Sequence, residues 1–461
     1  MKQAPRIAPH IFRAYDIRGI VGDGLDAASV ELIGRAIGSE ALDNGQRALL
    51  AAADARLSSP LLSRALIRGI LNSGCDVCDL GVIPTPLLYY GTHALPVHSG
   101  VMLTGSHNSK DYNGIKIVLR QRPLADDQIT RIRRRIDQDD LNKGNGTLTR
   151  YDITKDYLKR VTGDIHLTRR YRVVVDAGNG VTGLVAPKLF EALGCEVIPL
   201  YCTPDGNFPN HHPDPTRTEC LQDLIAAVRE HQADLGLAFD GDGDRIGLVT
   251  ADGEIIDTDH LLYAFVQDLL PDHPGARVVY DVKSSHHLPT AIRALGGKPV
   301  MCKSGHSFVK QKLQETDALF GGEYSAHVFF KHRWYGFDDG LYVGARFLEL
   351  MDRQGCTAKD LRSRMPVSVS TPELFVPVAE EEKFRLMDLI LAGLKLPGAT
   401  LNYLDGIRAD FANGWGLIRA SNTTPNLVMR FEADSSAMLA EIEALFAREL
   451  RSLLPQLRLP F

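Results

Sequence analysis

The chain has 461 residues, 44% apolar and 24% charged, enough for roughly three or four globular domains and too apolar for a disordered chain. Its formal net charge of −5 speaks against a general polyanion binder, and no nucleic-acid partner is expected. The opening MKQAPRIAPHIF lacks a signal-peptide core and no apolar run is long enough to span a membrane, while seven scattered cysteines fit a reducing cytoplasm, the expected location.

In chain order, RALLAAADA reads as a buried strand, followed by a helix through SSPLLSRALIRGILNSG and a second strand, CDVCDLG. Cys75 and Cys78 form a CxxC, but no second pair follows at zinc-ribbon spacing, so they read as strand thiols. The apolar SGVML then runs into LTGSHNSKDYNGIK (103–116), a turn-forming stretch that carries Ser106. A loop serine becomes a nucleophile only with a base, a charge cluster or a phosphoryl group already on its oxygen. The basic run RIRRRIDQDD (131–140) is a solvated helix face, because Ile129, Ile132 and Ile136 form an apolar stripe at helical spacing.

Two more strand–helix–strand units follow, starting at YRVVVDAGNG and ARVVYDVKSS. The repetition predicts three copies of one α/β architecture with mixed or parallel sheets. DAGNGVTG (176–183) matches the dinucleotide fingerprint, but the next strand does not end in the acidic residue that would hold a ribose, so a tight strand-to-helix turn is expected there. FDGDGDRIG (239–247) is the strongest signal. Asp240, Asp242 and Asp244 alternate with glycines, and hard carboxylate oxygens around a flexible turn suit Mg²⁺. Arg245 and Ala251 stand where an EF-hand needs Gly and Glu. In the third unit, Lys283 and His306 follow strand ends, where α/β sheets bind ligands. In GGEYSAHVFF, alternation of Glu323, Ser325 and His327 predicts one hydrogen-bonding face on an extended segment.

The last stretch changes character. TLNYLDGIRADFANGWGLIRASN alternates like antiparallel strands, and the closing helix places Leu439, Ile442, Phe446, Leu450 and Leu453 on one face. Within RASNTTPN, Arg419 offers a guanidinium fork for phosphate, with Ser421, Asn422 and Thr423 as small donors. Joints near residues 150, 254 and 366 divide the chain into 1–150, 151–254, 255–366 and 367–461.

Charge brings these parts together. A phosphorylated Ser106, a sugar phosphate and three aspartates sum to roughly −7. Mg²⁺ with Arg18, Lys116, Arg245 and Arg419 supplies about +6. Phosphoryl transfer needs in-line placement and charge neutralisation more than covalent help.

From FRAYDIRGIVG to SNTTPNLVMRFE, through TGSHNSKDYNGIK, PDGNFPNHHPDP, DGDGDR, GEYSAH and RWYGFDDG, the chain resembles the α-D-phosphohexomutase superfamily, in its bacterial phosphomannomutase/phosphoglucomutase branch. The resemblance implies an α/β fold of four domains around a central cleft: three related α/β domains with mixed sheets and a TATA-binding-protein-like α+β domain. It implies conversion of glucose and mannose 1-phosphates to 6-phosphates through phosphorylated Ser106 and a hexose 1,6-bisphosphate, with glucose 1,6-bisphosphate as activator. Asp240, Asp242, Asp244 and a phosphoserine oxygen would hold Mg²⁺. Arg18, Lys116, Arg245 and His306 become candidates for transition-state stabilisation or proton transfer. Tyr15, Lys283, Ser304, Gly305, Glu323, Ser325 and His327 become ligand contacts. Arg419, Ser421, Asn422, Thr423 and Arg430 become phosphate-side contacts. A monomer is expected. Ser109 replaces the family's usual proline, Tyr324 and Ala326 depart from GEMSGH, and Ala52 replaces a common Gly. Phosphoglucosamine mutase, a Mg²⁺-dependent sugar phosphatase and a non-catalytic sugar-phosphate sensor are the alternatives.

Overall fold

The computed structural model describes residues 7–379, 381–421 and 424–461. The expected repetition is present at the level of topology. In the first sheet, strand Ala48–Ala53 lies between parallel strands Asp76–Val82 and Gly100–Leu103, and Tyr112–Leu119 returns antiparallel to Gly100–Leu103. The second sheet repeats this with Arg172–Asp176 between Glu196–Leu200 and Leu235–Phe239, and with Ile246–Thr250 returning. The third has Arg277–Asp281 between Lys298–Cys302 and Phe320–Gly322, and Val328–Phe330 returning. Val- and Leu-rich strands buried on both faces suit such helix-covered sheets.

One consequence places the chemistry. In every copy, the loop joining the last parallel strand to the returning antiparallel strand carries a motif: Ser106, then the aspartates 240–244, then Glu323–His327. Three equivalent loops thereby meet at one place.

The fourth sheet is antiparallel through Thr400–Asn402, Ile407–Phe411, Gly414–Ala420 and Asn426–Ala433, as the alternation predicts. Helix Ser436–Leu453 buries Ile442, Phe446 and Leu450 against it, with Leu439 and Leu453 partly covered. The basic run lies on helix Asp127–Asp137, whose Ile129, Ile132 and Ile136 are buried. DAGNGVTG forms a turn and a short 3₁₀ segment that supports the aspartate loop, the Val181 N–H donating to the Gly241 carbonyl. All seven cysteines are free, and burial pushes the Cys75 thiol up to about 12.

The three α/β units share one continuous apolar core, running from Leu50 through Phe190 to Leu361. An aromatic seam reinforces it. Trp334 stacks on Tyr342 with centroids 4.0 Å apart and on Tyr90 at 6.1 Å, while Tyr157 donates to Asp339 at 2.9 Å. The C-terminal unit has a separate core. Its joint with the third unit combines a small apolar cluster, Val282 with Trp415 and Leu417, with polar contacts. Arg408 donates to the Val282 and Ser284 carbonyls at 2.7 and 2.8 Å, with its guanidinium 4.0 Å from the Trp415 ring.

Candidate active site

Ser106 is 2% exposed and sits at φ 48°, a left-handed conformation that a non-glycine residue adopts at a cost. The loop is held from below by Arg56, a residue that motif reading passed over. Its guanidinium donates to the carbonyls of Ser106 (2.7 Å), Asn108 and Ser109 (2.5 Å each) and Tyr112 (3.1 Å). Asp54 anchors Arg56 at 3.1 Å and also accepts from Thr104. The Ser106 hydroxyl donates to Asp240 Oδ2 at 2.8 Å, so the serine and aspartate loops are already in register. Gly241 makes this possible, since a Cβ there would collide with the Ser106 carbonyl.

The three aspartates are fully buried, with one oxygen of each within 4.8 Å of the others. Lys116 Nζ lies 2.7 Å from Asp242 and 2.5 Å from Asp244. Burial works against the Lys116 charge, but Asp242 and Asp244 outweigh it and raise its pKa well above the ordinary value. Burial, with Asp242 and Asp244 adding repulsion, pushes the Asp240 carboxyl well above the usual range. Against the same penalty, Lys116 and His327 hold Asp244 well below it. Asp242 Oδ1 is buried with no hydrogen-bond partner. A converging set of carboxylates with an orphaned oxygen fits a hard divalent cation, so the residues present suit the metal that the motif implies.

The sugar loop corrects the extended reading. Residues 323–327 form a tight hairpin turn between antiparallel strands, the Glu323 N–H donating to the His327 carbonyl at 3.0 Å. Glu323 and His327 face each other across the turn, Oε1 to Nδ1 2.7 Å, and Ser325 donates to Glu323. The three side chains converge because the chain folds back. Ala326 sits at φ 72°, a left-handed position that accounts for the glycine the resemblance leads one to expect there. Burial disfavours a charged His327, but Asp244 at 3.2 Å more than compensates and carries it to about 9. Its stacked neighbour His306, 5.2 Å away, goes the opposite way. Burial and the Lys310 charge bring it to about 4 although Asp338 Oδ2 lies 3.4 Å from Nδ1, and Nε2 lacks a hydrogen-bond partner. Gly305 adopts φ 137° ahead of helix His306–Thr316, and its N–H donates to Glu323 Oε2 at 2.7 Å.

A cleft of about 780 Å³ runs between all four units. Ser106, Arg18, Lys116 and Arg245 line one end, Tyr15, His306, Glu323, Ser325 and His327 the middle, and Lys283, Ser304, Gly305, Arg419 and Ser421 the remainder. Arg18 bonds Asp16 and Asn108, and Arg245 Nε is 3.9 Å from Asp240. Two carboxylates absent from the sequence reading hold the far cations: Asp405 lies 2.9 Å from Arg419 and accepts from the Ser304 N–H at 3.0 Å, and Glu373 lies 3.1 Å from Lys283. Arg430 is not at the cleft wall. It lies beneath Tyr324, 3.7 Å from the ring centroid, bonded to the Lys283 carbonyl and 3.4 Å from Asp259. Asn422 and Thr423 fall outside the described residues.

Residues 9–143, 155–253 and 257–368 match alpha/beta/alpha domains I, II and III of phosphoglucomutase/phosphomannomutase, and residues 373–449 match the C-terminal domain. The chain belongs to the phosphoglucomutase/phosphomannomutase family. A phosphomannomutase/phosphoglucomutase of Pseudomonas aeruginosa is 50% identical over 459 residues, covering 100% of this chain and 99% of that one. A phosphoglucomutase of Neisseria meningitidis serogroup A is 45% identical over 450 residues, covering 97% and 98%. The crystal structure of a phosphoglucomutase/phosphomannomutase family protein from Burkholderia thailandensis superposes with a TM-score of 0.94 at 48% identity, over 99% of this chain and 100% of that one. As a member of this family the chain is an isomerase that interconverts hexose phosphates. No helix among the described residues is long and apolar enough to cross a membrane.

Proposed function

We propose that the enzyme converts glucose and mannose 1-phosphates reversibly to their 6-phosphates, with Ser106 carrying the phosphoryl group. The Ser106 hydroxyl bonded to Asp240, at the mouth of a cleft lined by cations, carries this reading. In the first half-reaction the bond from phosphorus to Ser106 Oγ breaks as one to the sugar 6-hydroxyl oxygen forms. The hydroxyl proton leaves for a base, and Oγ ends protonated. The resulting 1,6-bisphosphate turns end for end, returns its 1-phosphoryl group to Ser106 and leaves as the 6-phosphate. Glucose 1,6-bisphosphate added from outside phosphorylates a resting Ser106 by the same chemistry.

Asp240, Asp242 and Asp244 would hold Mg²⁺, which when bound neutralises charge on the transferring phosphoryl oxygens. Lys116 and Arg245 remain charged and face the same oxygens, and Arg18 closes over them. His306 is neutral at pH 7 and has an unused nitrogen, which makes it the candidate acceptor for the hydroxyl proton. Glu323 and Ser325 would grip the 3- and 4-hydroxyls, so sugars that differ at C2 both fit. Lys283, Ser304, Gly305 and Arg419, with Ser421, Asn422 and Thr423, would hold the non-reacting phosphate. Domain joints near 150, 254 and 366 leave each loop on its own unit. One chain supplies every cleft element, which supports action as a monomer, and seven free cysteines support a cytoplasmic setting.

Phosphorus NMR with Mg²⁺ and a trace of glucose 1,6-bisphosphate tests the proposal. Glucose and mannose 1-phosphates should both become 6-phosphates. Conversion of glucosamine 1-phosphate alone, or release of free phosphate, would replace this reading with a neighbouring mutase or a hydrolase.

A further inference from the structure

Outside the cleft, the joint between the third unit and the C-terminal unit gathers three metal-ligating side chains and a supporting carboxylate that the mutase chemistry does not use. His286 precedes helix His287–Ala294 and His287 is its first residue. Glu432 lies on strand Asn426–Ala433 and Asp434 just beyond it. One ligand atom each from His286, His287 and Glu432 falls within a 4.8 Å span. Asp434 Oδ1 is 3.0 Å from His286 Nε2 and 3.8 Å from His287 Nε2, and His286 Nδ1 is 3.9 Å from Glu432 Oε1. The 3.9 Å between His286 Nδ1 and Glu432 Oε1 is near the roughly 3.3–3.4 Å separation that a tetrahedral ion with bonds of about 2.0–2.1 Å sets between its ligands.

We propose that His286 Nδ1, His287 Nε2 and Glu432 form a second metal site, selective for Zn²⁺-class cations, that fastens the C-terminal unit to the third unit, with Asp434 orienting the His286 ring from its other nitrogen. His286 Nδ1 and His287 Nε2 are buried without a hydrogen-bond partner, a cost that an ion would remove. The two rings lie 4.1 Å apart, so one ion can reach both. Glu432 is fixed as a ligand should be: Ser285 and Ser368 donate to Oε1 at 2.6 and 2.7 Å, and Trp415 donates to Oε2 at 2.8 Å. Two imidazoles with a carboxylate favour Zn²⁺, whereas the all-oxygen aspartate loop favours Mg²⁺, so the sites sort the ions by ligand chemistry.

Equilibrium dialysis of the full-length protein against Zn²⁺ in excess Mg²⁺ should find one tightly held Zn²⁺ per chain. The double variant His286→Gln/His287→Gln should weaken it by at least about 100-fold, and Asp434→Asn, at a half-exposed side chain, by about tenfold. Both variants should keep Mg²⁺-dependent turnover. Co²⁺ in place of Zn²⁺ should give tetrahedral ligand-field absorption in the wild type and in Asp242→Asn, and none in the double variant. No Zn²⁺ uptake by the wild type, equal uptake by the double variant, or loss of the Co²⁺ spectrum in Asp242→Asn would each overturn the proposal.

Discussion

The two ends of the cleft solve the problem of buried charge differently. At the reactive end, three fully buried aspartates share a mesh of cations: Lys116 lies between Asp242 and Asp244, His327 on Asp244, and Arg245 3.9 Å from Asp240. At the far end, each cation has one carboxylate, Arg419 with Asp405 and Lys283 with Glu373. The first arrangement crowds three carboxylates and leaves Asp242 Oδ1 without a partner, which the proposed metal would satisfy. The second pairs its charges one to one, so the phosphate proposed to bind there has to displace a carboxylate. The reactive end is built by units that share a core, and the far end straddles the joint with the C-terminal unit.

The sharpest way to separate the ends is to remove the proposed phosphoryl carrier. Ser106→Ala should lower turnover by at least about 10⁴-fold while calorimetric binding of glucose 6-phosphate, for which the proposed contacts lie largely at the far end, changes little. Arg56→Met should come next. It strands four carbonyls and the Asp54 carboxylate, and should cost about 3–5 kcal/mol in urea unfolding together with most of the activity.

A third test uses the cleft's middle, where His306 titrates at about 4 against 6.5 for the free side chain. The unfolded chain takes up the proton first, so this group's contribution is intact above about pH 6.5 and is lost as pH falls toward 4. It amounts to at most about 3 kcal/mol. Urea midpoints at pH 7 and pH 4.5 should therefore fall less steeply in His306→Gln than in the wild type. The smallest effect belongs to the far end. Arg419→Lys keeps the charge but loses the fork, and should reduce kcat/KM by about tenfold, mainly through KM.

How far each end could be read from the sequence follows the same division. Asp240, Asp242 and Asp244 fall within five residues, so their repulsion, and with it the expectation of a metal, is visible in the sequence. The three-fold repetition was visible as strand–helix–strand patterning, and the antiparallel C-terminal sheet as alternation. Arg56 was not visible as a partner of Ser106, because fifty positions separate them and only the fold closes the gap. Asp405 and Glu373 were missed for the same reason: each meets a cation on another loop. The sugar hairpin was misread because alternation over five residues fits an extended strand, while the turn depends on Ala326 adopting a positive φ. Arg430, read as a ligand contact, is the support under Tyr324.

The separate apolar core of the C-terminal unit has a consequence for how such a protein can diverge. The three α/β units must change together, since a substitution in the aromatic seam around Trp334 is felt by all of them. The fourth carries its own packing and meets its neighbour mainly through side-chain and carbonyl contacts. Selection can therefore rework the grip on the substrate's distant group, or graft a new surface onto that unit, while the phosphoryl chemistry is inherited intact.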